Sequence, residues 1–295
     1  MISSANNPLK DRDPVAAGRF YPDGKESLSK NLEKLFANCK KTRESFKVRA
    51  IISPHAGFVY SGKIAASAFS SVDRNSIFKN IFIIGSSHLM AFEGASVYNT
   101  GDFITPLGKV LVNREIGNIL HNENKLFNYP VDAHIHEHSL ELQIPFIQYY
   151  FTHIPAIVPI ILGANDELTI KNIANILMPW FTEENLFVIS SDFSHYPPYH
   201  IANEADRVTA SGLLSGDPGV FLKTLEMNSE KNYAGLVTSM CGWTSGLLLL
   251  YLRNFNKLFE MKHIDYCNSG DSSFPDRNRV VGYHSFALIE NEIKA

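Results

Sequence analysis

The sequence has few cysteines, and they follow no regular pattern. Cys39, Cys241 and Cys267 are the only cysteines among 295 residues. Their spacing suits neither a disulfide framework nor a Cys-x-x-Cys zinc site, so we expect reduced thiols. Residues 1–10 also lack the basic start and apolar stretch of a secretory signal, which favours a cytoplasmic protein.

Long apolar runs and strong charge are missing as well. The net charge is -3, and 19% of the residues are charged. No block of Lys and Arg offers the positive surface that nucleic acid binding needs. No apolar run approaches the roughly 18 residues of a membrane-spanning helix. We therefore expect neither a nucleic acid nor a membrane as a partner.

Three common catalytic signatures are not found in the sequence. It has no Gly-rich Walker loop for nucleotide phosphates and no Gly-x-Ser-x-Gly turn for acyl transfer. Residues 134–141 are rich in His and Glu, but a His-Glu-x-x-His zinc protease motif would need a histidine where Leu140 stands. Nucleotide, acyl-transfer and zinc-protease chemistry are thus disfavoured.

The sequence does contain an alternation of strand-like and helix-like segments. Strands are predicted at residues 48–53, 81–85, 157–162, 186–189, 259–266 and 280–288. Helices are predicted at residues 26–39, 64–69, 114–121, 138–151 with a break at Pro145, 168–181, 202–214 and 240–252. Residues 95–98 and 109–112 suggest a hairpin or an excursion at a sheet edge. The alternation predicts an α/β fold with a central, mostly parallel sheet flanked by helices. No repeat or linker interrupts it, which favours one domain over residues 1–295.

Four polar clusters lie at the edges of these segments. They are Pro54-His55-Ala56-Gly57, Ser86-Ser87-His88, Ser190-Ser191-Asp192-Phe193-Ser194-His195 and Met240-Cys241-Gly242, the last in the first turn of a predicted apolar helix. The carboxyl ends of parallel strands share one edge of a sheet, where α/β proteins build their sites. Imidazole, thiol and carboxylate groups supply metal ligands and acid/base groups. The pattern predicts a metal-dependent enzyme or a close relative of one.

Asp192 and His195 form a candidate acid/base pair. A carboxylate three residues before the imidazole can fix its tautomer and raise its basicity. The alternative is that Asp192 or Ser194 caps the following helix.

Other residues are candidates for lining the site. His138 and Glu141 can share one face of a helix and act as pocket or supporting residues, whereas His134 and His136 are expected in an exposed loop. Tyr60 and Phe20 can form an aromatic wall for a planar substrate, with core packing as the competing account.

Several longer motifs resemble the Memo family. They are residues 51–62 (IISPHAGFVYSG), 85–88 (GSSH), 137–141 (EHSLE), 191–195 (SDFSH) and 241–242 (CG). Residues 17–22 (AGRFYP) and 280–283 (VVGY) match its bacterial and archaeal branch, the AmmeMemoRadiSam system protein B group. The motifs occur in the family's order along nearly the whole chain.

The resemblance implies a fold similar to the class III non-haem iron extradiol dioxygenases, which hold a metal at strand ends. Matched residue by residue, it implies that His55, His88 and Cys241 are metal ligands and that His195 is an acid/base group. Those dioxygenases have a carboxylate where this chain has Cys241, so ring cleavage does not carry over. A thiolate also broadens the choice of metal, and we rank iron(II) ahead of copper and zinc.

Two functional hypotheses follow from the resemblance. The first is a metal-dependent oxidoreductase that acts with dioxygen on a small aromatic molecule or an aromatic side chain of a peptide. The second is a non-catalytic metal- or ligand-binding component that works with radical SAM and AMMECR-type proteins.

Overall fold

The computed structural model describes residues 10–41, 47–273 and 275–291. Residues 1–9, considered above for a secretory signal, lie outside this part. The helices are α1 (Lys25–Asn38), α2 (Phe58–Phe69), α3 (Arg114–Glu123), α4 (Ile144–Tyr150), α5 (Glu167–Leu177), α6 (Tyr199–Ser215), α7 (Pro218–Glu230) and α8 (Trp243–Arg253). The strands are β1 (Lys47–Ser53), β2 (Asn80–Ser86), β3 (Ala95–Val97), β4 (Phe103–Thr105), β5 (Gly108–Val110), β6 (Ala156–Leu162), β7 (Asn185–Ser190), β8 (Phe259–Asn268) and β9 (Gly282–Glu290).

A seven-stranded sheet organises the fold, with the strand order β3-β6-β2-β7-β1-β9-β8. Its centre, β6-β2-β7-β1, is parallel throughout. The outer strands β3, β9 and β8 pair in antiparallel fashion. The predicted central, mostly parallel sheet flanked by helices is therefore confirmed.

The strand sequences explain why both faces of the sheet are covered. All seven residues of β2 are buried, as expected for a parallel strand with helices on both sides. Phe82 and Ile84 join the core cluster under α5 and α8. Ile81 and Ile83 point the other way, into the cluster formed with α1, α2 and α4. This alternation turns both faces of one apolar run into core.

The apolar helix near the carboxyl end begins later than predicted. We expected Cys241 in the first turn of a helix over residues 240–252, but α8 begins at Trp243 with Gly242 as its N-cap. Cys241 therefore lies in the turn before the helix, and the helix geometry does not set the direction of its side chain.

The structure decides between two alternatives and corrects one boundary. Residues 95–98 do not form a hairpin with residues 109–112; β3 lies at the edge of the main sheet beside β6, in agreement with the predicted edge excursion, and β5 pairs with β4 across a tight turn. The helix predicted over residues 138–151 begins at Ile144, because Pro145 occupies its first turn and a short 3-10 turn, Glu141–Gln143, precedes it.

One further difference concerns His134. His134 is buried, at 1% exposure, and its Nε2 lies 3.1 Å from the carbonyl oxygen of Ser96, so its predicted exposure was wrong. His136 is exposed as expected. Within the described residues, no helix is long and apolar enough to cross a membrane.

Candidate metal centre

Polar side chains meet at the carboxyl ends of β1, β2 and β7. β7 lies between the other two strands in the sheet, so His55 after β1 and His88 after β2 approach from opposite sides of it. Cys241 reaches the same place from the turn before α8. One ring nitrogen from each histidine and the sulfur of Cys241 all lie within 4.8 Å of one another. The strand order thus brings together the three residues that the resemblance implied as ligands.

The hydroxyl group of Ser190, at the end of β7, fixes the tautomer of His55. Ser190 Oγ donates to the carbonyl oxygen of Ser139 at 2.7 Å and accepts from Gln143 Nε2 at 2.9 Å. Because its only proton is used, the Nδ1 of His55, 2.9 Å away, acts as the donor. This leaves the lone pair on Nε2 of His55, which lies 3.3 Å from Cys241 Sγ.

A buried carboxylate orients His88 in the same way. Glu137 Oε1 lies 3.0 Å from His88 Nδ1, and Glu137 Oε2 accepts the backbone N–H of His88 at 2.8 Å. The Ser139 N–H donates to the same carboxylate at 3.0 Å. A carboxylate on the far nitrogen of a histidine is the usual support of a metal ligand, because it fixes the tautomer and raises basicity. His88 thus presents its Nε2 to the centre.

The turn that carries Cys241 is held against the end of β7. The N–H of Asp192 donates to Cys241 Sγ at 3.3 Å, and the N–H of Cys241 donates to the carbonyl oxygen of Asp192 at 3.2 Å. Gly242 N–H donates to Ser191 Oγ at 2.8 Å. A Cβ at Gly242 would lie 2.6 Å from the Cβ of Ser191, so this approach requires glycine. The sulfur of Cys241 is thereby held beside the two histidines.

The electrostatics of the two histidines differ. Burial is the main reason that the pKa of His55 lies well below its usual value, and the neighbouring His88 and His138 add to this effect. Burial also opposes protonation of His88, but the Cys241 sulfur and the Glu137 carboxylate outweigh it and raise the pKa of His88 to about 10. Burial alone would raise the pKa of Glu137, yet its hydrogen bonds with His88 lower it. The positive charge of His88 is therefore paired with the Glu137 carboxylate beside a neutral His55.

This donor set fits a transition metal. One ring nitrogen of each imidazole faces one sulfur, and each imidazole is supported on its other nitrogen by Ser190 or Glu137. Mixed nitrogen and sulfur ligands suit iron, copper or zinc, and three protein ligands leave coordination positions open. The assignment of His55, His88 and Cys241 as ligands remains a prediction.

Asp192 does not serve as the partner of His195. Its carboxylate Oδ1 accepts the backbone N–H of His55 at 2.8 Å, so it shapes the loop after β1 instead. It does not cap the next helix either, since α6 begins at Tyr199 after Pro198. Burial raises the pKa of Asp192 to about 7, against the opposing effect of the His55 and Ala56 amides. The expected contact with His195 and the alternative cap were both wrong.

His195 lies beside the centre on a rigid backbone. Its N–H donates to the carbonyl oxygen of Thr238 at 3.0 Å, and its carbonyl oxygen accepts the N–H of Val237 at 3.0 Å. Burial and the charge of His88 lower the pKa of His195 to about 4, so the ring is neutral at physiological pH. Within the described chain, the buried Nε2 of His195 has no hydrogen-bond partner. A neutral imidazole with an unused ring nitrogen is suited to move a proton, and this role stays a prediction.

The three predicted substrate-binding residues, His138, Phe20 and Tyr60, differ in their surroundings. The ring centroid of His138 lies 5.5 Å from that of His55 and 5.1 Å from that of His88. The ring centroid of Phe20 lies 4.9 Å from that of His138, with the rings tilted by 33°. Tyr60, in the first turn of α2, is 40% exposed. His138 therefore lies beside the centre, and Phe20 contacts His138.

Glu141 faces away from His138 and the centre, contrary to the shared helix face expected from their spacing. Its carboxylate pairs with Arg12 at 2.7 Å and accepts the hydroxyl group of Tyr21 at 2.7 Å. Arg12 also donates to the carbonyl oxygens of His134 and Glu137. This buried network ties the amino-terminal segment to the segment that carries Glu137.

Sequence reasoning assigned no role to two supporting residues, Ser190 and Glu137. Ser190 was visible in a polar cluster at a strand end, but its function depends on Ser139 and Gln143, which are distant in sequence. Glu137 was part of a recognised motif, and only the strand order shows that it faces His88. The signal for Ser190 was its position at the end of a buried strand.

The fold and the site define an α/β protein with a candidate His-His-Cys metal centre at the carboxyl edge of its sheet. The family model described as "Memo-like protein" matches residues 12–287. The chain belongs to the Memo family.

Named relatives extend across the chain. A "MEMO1 family protein" of Thermoplasma volcanium is 30% identical over 275 residues, covering 93% of this chain and 97% of the relative. A "MEMO1 family protein" of Aquifex aeolicus is 31% identical over 282 residues, covering 93% and 98%. Among solved structures, an uncharacterized protein of Escherichia coli K12 aligns at 12% identity with a TM-score of 0.47, covering 81% of this chain and 98% of that one.

Proposed function

We propose that the protein is a metal-dependent oxidoreductase that acts with dioxygen on a phenolic or other aromatic group. His55, His88 and Cys241 hold the metal, with iron(II) ahead of copper and zinc. The observation that carries the proposal is the convergence of two supported imidazole nitrogens and one sulfur within 4.8 Å. A metal in this position supplies open coordination positions and redox chemistry.

The chain's own residues bind the substrate and move its proton. His138 lies beside His55 and His88, and Phe20 contacts it with ring centroids 4.9 Å apart, so the two rings offer an aromatic surface against which a substrate ring can pack. Neutral His195 accepts the proton that a phenolic hydroxyl group loses when it binds, because burial keeps the imidazole unprotonated. Asp192 keeps the loop of His55 in place through a backbone hydrogen bond at 2.8 Å.

The proposed chemistry requires Cys241 to stay reduced. All three cysteines are free thiols. A reducing compartment, which we propose is the cytoplasm, keeps Cys241 available as a ligand and protects it from oxidation.

The first test is the metal content of protein purified anaerobically, without chelator and without a histidine tag. We expect close to one equivalent of iron or copper in the wild-type protein and less than a tenth of that in His55→Ala. His136→Ala is the matched control, because His136 is exposed and lies outside the centre. A folded His55→Ala protein with a full metal load would show that the ligand assignment is wrong.

Oxygen consumption by the metal-loaded protein on a panel of phenols and catechols tests the reaction. Turnover that is lost in His195→Gln, while metal content is kept, supports the proton-transfer role. A metal-loaded protein without oxygen consumption on the whole panel would contradict the oxidoreductase proposal. That result would favour a binding component that works with radical SAM and AMMECR-type proteins.

A further inference from the structure

Arg19 lies in a tight turn next to the aromatic residues of the metal centre. The N–H groups of Arg19 and Phe20 both donate to the carbonyl oxygen of Ala16, at 3.1 and 2.8 Å. The N–H of Gly18 donates to the carbonyl oxygen of Tyr21 at 2.8 Å. Gly18 has a φ of +77°, which glycine adopts without strain. These bonds fix the backbone position from which the side chain of Arg19 extends.

The turn is also tied to its surroundings on two sides. The carbonyl oxygen of Phe20 accepts the N–H of Phe58 at 2.8 Å, at the start of α2. The N–H of Ala16 donates to the buried carboxylate of Glu141 at 2.8 Å. Arg19 therefore stands on a braced segment, although its own side chain is exposed.

The metal centre is open to solvent on the side of His88 and His138. Their side chains are 25% and 26% exposed, whereas His55 is 2% exposed. The ring centroid of Phe20 lies 4.9 Å from that of His138, and the guanidinium carbon of Arg19 lies 6.0 Å from the ring centroid of Phe20. A ligand that enters from the open side therefore meets the side of the centre where Phe20 and Arg19 lie.

Arg19 is a charged group on this side that lacks a counterion. Burial is the main cause that lowers the pKa of His138, and four nearby charges modify this effect: Glu137, His88, Glu141 and Arg19. Glu137 pairs with His88, and Glu141 pairs with Arg12. Within the part of the chain that the structure describes, Arg19 forms no ion pair. Its charge is thus available to a ligand.

A single unpaired guanidinium group favours a ligand with one negative charge. Its planar N–H groups match the two oxygens of a carboxylate. A ligand with a positive charge would be repelled. A second negative charge would find no further unpaired cation among the groups that act on His138.

We propose that Arg19 makes the centre selective for phenols that carry one carboxylate on the far side of the ring from the hydroxyl group. This inference rests on the proposed function, in which the phenolic group binds at the centre and His195 accepts its proton. The ring then packs against Phe20 and His138, and the carboxylate pairs with Arg19.

Three phenols of similar size test the charge preference. 4-Hydroxyphenylacetate carries a carboxylate, 4-hydroxyphenylacetamide carries a neutral amide in its place, and tyramine carries an ammonium group. Isothermal titration calorimetry without dioxygen measures the binding of each to the protein purified anaerobically. We expect the acetate to bind about fivefold more tightly than the amide, at the upper end of what an exposed ion pair contributes, and tyramine to bind most weakly. The preference is expected to decrease as the salt concentration rises, because salt screens an exposed pair.

Substitutions of two exposed arginines assign the preference to one residue. Arg19→Gln is expected to bind the acetate no more tightly than the amide, with the affinity for the amide within twofold of wild type. Arg19→Lys keeps the charge but not the planar donor pair, so we expect it to retain part of the preference. Arg207→Gln is the matched control on the exposed surface of α6 and is expected to keep the wild-type preference.

Equal binding of the acetate and the amide by wild type would overturn the proposal. Equal weakening of both compounds in Arg19→Gln would overturn it too, because it would show a structural role. The same loss of preference in Arg207→Gln, or no saturable binding of any of the three compounds, would have the same meaning.

The binding measurements separate this proposal from the proposed reaction. Selective binding of the acetate by a metal-loaded protein that consumes no oxygen would contradict the oxidoreductase function alone. Oxygen consumption that is equally efficient with the acetate and the amide would contradict the role of Arg19 alone.

Discussion

Replacement of Glu137 by glutamine tests whether the buried carboxylate prepares His88 for metal binding. The side chain of Glu137 is 1% exposed and accepts hydrogen bonds from His88 N–H, His88 Nδ1–H and Ser139 N–H. An amide has one oxygen where the carboxylate has two, so its NH₂ group faces at least one of these donors. Glu137→Gln therefore changes charge and hydrogen bonding while it keeps the size of the side chain.

The expected magnitude follows from these contacts. Loss of a supporting partner of a metal-ligating histidine typically costs 10- to 100-fold in metal affinity, which is about 1.4–2.8 kcal/mol. One buried donor left without an acceptor lowers the free energy of unfolding by about 1–3 kcal/mol. We expect both effects in Glu137→Gln, with the fold retained.

Cobalt(II) affinity, measured by competition with a chromophoric chelator, is the assay. Glu183→Gln is the control, because Glu183 is exposed and outside the centre. Circular dichroism at the same temperature separates metal loss from unfolding. A folded Glu137→Gln protein that binds cobalt(II) within twofold of wild type would refute the reasoning that Glu137 sets the geometry of His88.

Two other substitutions test the surroundings of the centre. Gly242→Ala is expected to displace Cys241, because the added Cβ would lie 2.6 Å from the Cβ of Ser191. We expect bound metal to fall by more than half, with an unchanged circular dichroism spectrum. A full metal load in this variant would show that the close approach at Gly242 does not position Cys241. Burial raises the pKa of Asp206 to about 7 from the usual 3.8, so the folded protein keeps a proton that the unfolded chain releases, and stability falls as the pH rises from about 4 to 7. Asp206→Asn removes this loss of stability, because asparagine does not titrate. The variant is expected to be more stable than wild type by on the order of 4 kcal/mol at pH 8 but not at pH 4. Urea unfolding at both pH values measures this difference, and a variant with the same pH dependence of stability as wild type would refute the prediction.

Most strands of the central sheet were predictable because each is a short run of apolar residues that ends in a polar cluster. Ile81 to Gly85 illustrates this, since the structure extends that strand by one residue at each end. The same clusters predicted where the site residues lie, because the carboxyl ends of parallel strands share one edge. The family motifs then implied which of these residues are ligands.

Features that depend on tertiary packing were not predictable. α7 was missed because its buried residues include Thr224 and Asn228, which weaken the apolar pattern of a helix. The sequence left open whether residues 95–98 form a hairpin or a sheet edge, because a three-residue strand carries too little pattern to specify its pairing. Asp192 was assigned to His195 by sequence distance, whereas the structure places its carboxylate on the loop of another strand.

The arrangement of Arg12, Glu141 and Tyr21 had no signal in the sequence. An arginine and a glutamate far apart in the chain form a buried ion pair at 2.7 Å. Such pairs are recognised only when the surrounding burial is known, because most charged residues are exposed. The supporting residues of the centre were thus harder to predict than the residues they support.

The place of β1 in the sheet affects when the metal centre can form during synthesis. β1 carries His55 into the centre, yet its neighbours are β7 and β9, and β9 is the last strand of the chain. Pairing between β1 and β9 joins distant parts of the described chain, and such non-local contacts slow folding. A growing chain on the ribosome therefore has its histidines long before it has the sheet that aligns them, and a product truncated before β9 lacks a structured centre. The candidate centre is therefore complete only when the strand that follows all the others in the described chain has been made.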